Sequence, residues 1–110
     1  MRLEVGMYVR RIGIFKIETF EDFNDREYKI NGVYTNKNDI KKASHNIIDL
    51  IEENDYIRIV TSAFYEPVYY SYGKLVIRDD IDISKYTNKF IAEVITHEQM
   101  ESMSYKVERG

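Results

Sequence analysis

His45 and His97 are the only two histidines of this 110-residue chain, and so its only side chains with an unperturbed charge change near neutral pH. Neither sits in a spacing that metal binding or acid-base catalysis would use. There is no HxH or HxxxH pair and no cysteine to share a metal, so both histidines read as helix-start residues, His97 as an exposed one in the first turn. Ser62 and Ser71 lie in no nucleophile elbow, and no glycine-rich loop could cradle a phosphate. The chain reads as non-catalytic and without a cofactor. In Asp79-Asp80-Ile81-Asp82 the alternation places Asp80 and Asp82 on one side of an extended segment. The run lacks the glycine and terminal glutamate of an EF-hand loop, which makes it a solvated acidic loop and not a calcium site.

The residues that remain for binding are aromatic and cationic. In an extended Val68-Tyr69-Tyr70-Ser71-Tyr72 strand, Tyr69 and Ser71 share one face, and the return strand sets Lys74, Val76 and Arg78 on one face as well. Aromatic planes stack on bases and guanidinium forks bind phosphate, so Tyr69, Lys74 and Arg78, with Arg10 or Arg58, form the candidate ligand-binding set. The plainer alternative is that these tyrosines fill a small core and its rim. Carboxylates of segments 21–27 and 79–82 could instead present a surface that competes with nucleic acid for a protein partner.

The elements that must carry these residues show a repeat. Leu3-Glu4-Val5-Gly6-Met7-Tyr8-Val9-Arg10 aligns with Ile51-Glu52-Glu53-Asn54-Asp55-Tyr56-Ile57-Arg58, with Glu4/Glu52, Tyr8/Tyr56 and Arg10/Arg58 identical. Gly6 and Asn54, the residue types that best tolerate left-handed backbone, each precede an aromatic and β-branched run. Each copy therefore predicts a turn feeding a twisted strand. The expected architecture is mostly β with short helices, as two SH3-like, small-barrel-like halves (1–50 and 51–110) sharing one core in a single domain, 1–110.

Strands are expected near 7–12 and 14–20, with a bend at Gly13. Tyr28-Lys29-Ile30 and Val33-Tyr34-Thr35 flank Asn31-Gly32, the strongest short hairpin signal. A short helix is expected over 45–52, a strand over 55–64 broken by Pro67, a hairpin over 68–78, a surface loop over 79–89 and a strand over 90–95. Thr96-His97-Glu98-Gln99 has the form of a capping box opening a helix over 97–103, followed by an extended tail at Tyr105-Lys106-Val107.

Composition bounds the partners. The chain is 44% hydrophobic and 32% charged with one proline, which is globular composition, and its ten tyrosines and five phenylalanines favour strands. A net charge of −3 argues against nonspecific nucleic-acid binding. No apolar run approaches a membrane span, and no basic-then-apolar signal plan opens the chain, so a soluble protein without a membrane partner is expected. Exposed sheet edges predict a homodimer or higher homo-oligomer.

The segments Glu4–Arg10, Ser44–Glu52 and Val94–Val107 resemble small phage and prophage proteins of clostridia and related Gram-positive bacteria. The resemblance transfers no catalytic or binding residue and leaves 18–43 and 62–90 outside its matched stretches. What it implies is context: an accessory viral protein in the cytoplasm of a bacterial host. In that context the expected function is noncatalytic binding, of a nucleotide-like immune signal, or alternatively of a host defence nuclease or a phage assembly or replication partner.

Overall fold

The computed structural model of the protein describes residues 2–102; the expected tail at Tyr105–Val107 lies outside them. The chain divides into two units, one running up to Leu50 and the other starting at Ile51.

In the first unit, β1 (Tyr8–Arg10), β2 (Ile14–Lys16), β3 (Phe20–Glu21), β4 (Glu27–Ile30), β5 (Val33–Asn36) and β6 (Lys42–Ser44) make two antiparallel three-stranded sheets, β2-β1-β6 and β3-β4-β5. In the second, β7 (Tyr56–Ile59), β8 (Glu66–Pro67), β9 (Tyr69–Ser71), β10 (Lys74–Ile77), β11 (Ile81–Asp82) and β12 (Ile91–Ile95) make β12-β7-β8 and β11-β10-β9. A helix, α1, begins at residue 97 and runs through residue 102. The mostly β class expected from the aromatic and β-branched content is the class observed. Among the described strands no barrel closes: each sheet stops at three short strands and keeps two edges.

Both units begin in the same way. Gly6 (φ 94°) and Asn54 (φ 75°) are left-handed, as the turn requires. The amide of Met7 donates to Glu4 O and that of Asp55 to Glu52 O, each at 3.2 Å. The amides of Gly6 and Asn54 then bond Ile17 O and Val68 O, and the amides of Ile17 and Val68 return to Met7 O and Asp55 O. β1 and β7 follow, each central in its sheet, with Val9 and Ile57 fully buried. Leu3, Val9, Ile17 and Ile40 join Tyr28 and Ile30 in the first unit's core; Ile51, Ile57, Val68 and Ile91 are buried at the corresponding places of the second.

Each unit also carries a hairpin with a two-residue turn whose central residues are both left-handed. These are Asn31-Gly32 (φ 53° and 79°) between β4 and β5, and Tyr72-Gly73 (φ 52° and 76°) between β9 and β10. Elsewhere the elements are shorter than the sequence pattern suggests. The expected strand 14–20 breaks at Ile17–Thr19, because Asn31 Oδ1 takes the amides of Glu18 and Thr19 (2.7 and 3.1 Å). The strand expected over 55–64 ends at Ile59, where Ser62 N–H turns back to Ile59 O. The helix expected over 45–52 is a 3-10 turn at Ile47–Leu50. The segment expected as a surface loop contains β11, a left-handed turn at Asp79 and Asp80, and 3-10 turns at Ile83–Lys85 and Asn88–Phe90, and it buries Ile83. Pro67 lies in edge strand β8, where a missing N–H costs no ladder bond.

Candidate functional site

The β9–β10 hairpin pairs Tyr69 with Val76 and Ser71 with Lys74, so Tyr69 and Lys74 share a face. Tyr69, Lys74 and Arg78 each have a carboxylate partner. The Tyr69 hydroxyl donates to Asp80 Oδ1 at 3.1 Å; burial pushes this phenol's pKa up, and the bond to Asp80 pushes it further. Lys74 Nζ lies 3.8 Å from Asp82, and Arg78 Nε lies 3.2 Å from Glu66. Asp82 also accepts the Ser84 amide (2.9 Å), which is the first cause holding its carboxyl below the usual range. Lys74 and Arg78 remain 68% and 73% exposed, so these pairs are surface contacts of small energetic weight. With Asp79 included, this stretch holds four carboxylates against three cations, since Lys85 as well as Lys74 acts on Asp82.

The crest of this hairpin is its most unusual part. Tyr72 is 99% exposed and left-handed. Bulky side chains seldom adopt that backbone. Asp79 and Asp80 are left-handed as well, so three of the five non-glycine residues with positive φ among the described residues lie between 72 and 80. In the first unit the same turn position holds Asn31, a residue suited to it, whose side chain bonds Glu18 N, Thr19 N and Lys16 O.

The two arginines matched by the repeat occupy unlike surroundings. Arg10 is fully buried, and its Nη1 donates to Leu50 O at 3.0 Å, so it presents no guanidinium to a ligand at the surface. Arg58 is partly exposed; its Nη1 donates to Ser62 O at 3.2 Å, and its Nε lies 3.8 Å from Glu93.

Sequence reasoning missed the pairing of the histidines with the repeated glutamates. His45 Nε2 bonds Glu4 Oε1, and His97 Nε2 bonds Glu52 Oε1 at 2.9 Å. His97 is not the exposed first-turn residue expected: its side chain is 28% exposed, with Glu98 Oε1 3.5 Å from Nε2 and Glu101 Oε1 3.6 Å from Nδ1. The capping box forms as its sequence predicts. Gln99 N donates to Thr96 Oγ1 (3.2 Å) and Thr96 N to Gln99 Oε1 (2.9 Å), fixing the start of α1. Asp55, fully buried, accepts the Glu52 amide on Oδ2 (2.8 Å) and the His97 amide on Oδ1 (2.9 Å). One carboxylate thus holds the backbone of both members of the second pair. The available signal was the identity of Glu4 and Glu52, a polar match that strand formation alone does not require.

Comparison with protein-family models, curated proteins and solved structures finds no match to this chain.

Proposed function

We propose that the protein is a noncatalytic binding module that docks the crest of its β9–β10 hairpin onto a protein partner with a basic surface. The observation that supports this reading is Tyr72. A left-handed non-glycine residue costs about 1–2 kcal/mol, and at 99% exposure the Tyr72 side chain gains little from packing to offset it. Backbone strain without a compensating contact in the fold is characteristic of residues kept for recognition. A tyrosine supplies a large, stiff, amphipathic contact there at low entropic cost.

The charge at the open end of the same hairpin supports the choice of partner. Glu66, Asp79, Asp80 and Asp82 outnumber Lys74, Arg78 and Lys85, and this balance disfavours an anionic nucleotide while suiting a basic protein surface. In the phage setting implied by the sequence resemblance, a host nuclease is a partner of that chemistry.

The test compares wild type with Tyr72→Asn, which places an asparagine where the first unit already has one. The variant should be more stable by about 1 kcal/mol and should lose, in a salt-sensitive way, a basic protein that wild type captures from host lysate. Thermal shift with cyclic dinucleotides and ADP-ribose should show no change. Equal capture by wild type and Tyr72→Asn would overturn the assignment of the crest. A nucleotide-induced rise in melting temperature would replace the protein partner with a small anion.

A further inference from the structure

We propose that Glu52, His97 and Glu98 form a binding site for a divalent first-row transition metal, with Zn²⁺ the best-suited ion. Their donor atoms lie within 4.8 Å of one another, and among the described residues no other three acidic, histidine or cysteine side chains are so grouped. Ligand atoms about 2.0–2.2 Å from zinc stand about 3.3–3.6 Å apart at tetrahedral angles. His97 Nε2 is 2.9 Å from Glu52 Oε1 and 3.5 Å from Glu98 Oε1, so both carboxylates already stand within a few tenths of an ångström of the spacing an ion bound to Nε2 would require. Imidazole nitrogen and carboxylate oxygen are both ligand types that zinc takes, and three protein ligands leave a fourth position for water.

The surroundings favour the same reading. Metal-bound histidines usually donate their other ring nitrogen to a carboxylate. Glu101, one helical turn on, lies 3.6 Å from Nδ1, on the side where such a carboxylate would stand. The buried Asp55 carboxylate holds the amides of both Glu52 and His97, so two of the three ligands are positioned by backbone contacts before any ion arrives. The first unit provides an internal contrast. Its Glu4–His45 pair is more exposed, Asn46 follows the histidine where Glu98 follows His97, and Met7 occupies the place of Asp55. The three-ligand set belongs to the second unit.

The experiment is titration of the tag-free, chelator-treated full chain with Zn²⁺ at pH 7.5, followed by calorimetry and by thermal unfolding. One equivalent should bind, with a rise in melting temperature. His97→Gln and Glu98→Gln should each weaken binding at least tenfold, and His45→Gln should leave it unchanged, with circular dichroism confirming that all three variants fold. Mg²⁺ in large excess should not compete, because imidazole favours the transition metal. Absence of Zn²⁺ binding at 100 µM metal, equal binding by His97→Gln, or displacement by Mg²⁺ would each overturn the site. None of these results depends on the hairpin crest, so the metal site and the docking surface fail separately.

Discussion

Arg10 and Arg78 carry the same guanidinium into opposite surroundings, one fully buried against Leu50 O and the other 73% exposed beside Glu66. Arg10→Ala should therefore cost about 2–4 kcal/mol, from the lost charge-assisted bond and the cavity left behind. Arg78→Ala should change stability by less than about 1 kcal/mol. Urea unfolding of the two variants measures both, and equal midpoints would contradict this division. The burial of Arg10 was not legible in Val9-Arg10-Arg11, because arginine is rarely buried and alternation across a three-residue strand does not identify the inner face. Glu52 and His97 were unreadable as a pair for a different reason. They are 45 positions apart, against 41 for Glu4 and His45, so no single offset aligns both members of the two pairs.

At the scale of elements, turn chemistry was the clearest signal. Asn31-Gly32 forms the expected hairpin, and nothing lies within 4 Å of a Cβ built on Gly32, so its φ of 79° alone resists substitution. Gly32→Ala should lower stability by about 1–2 kcal/mol, measured as a lower urea midpoint with an unchanged slope. An unaffected midpoint would mean that the turn can change type without loss. The capping box was equally legible because its two bonds are local. Strand lengths were not. Residues 17–19 and 60–64 contain good strand formers, yet their backbone bonds go to the Asn31 side chain, Met7 O, Phe90 O and local turns, partners that no short window of sequence displays. The 68–78 hairpin was placed within a residue, but the carboxylate partners of its cations come from β8 and β11, outside it.

For the molecule as a whole, the four sheets leave exposed edges, and β5 shows the least protection: Val33 and Tyr34 are 59% and 52% exposed on an edge strand. An uncovered apolar edge pairs readily with another copy of itself. Wild type should therefore sediment as a dimer at micromolar concentration and Val33→Lys as a monomer. A wild-type monomer would remove self-association through this edge. The repeat was visible from three identical residues, and it extends in the structure to a shared turn, a shared central strand, a shared hairpin and a Glu–His pair in each unit.

The clip made by Asp55 gives the second unit a topology of its own. By joining the amides of Glu52 and His97 it closes the chain between them into a noncovalent ring, with the tyrosine crest far along its circumference from the clasp. Lengthening such a ring is inexpensive, since doubling it adds only about 0.6 kcal/mol of closure entropy. The crest can thus be lengthened or exchanged at little cost in closure entropy while the clasp keeps the ring shut.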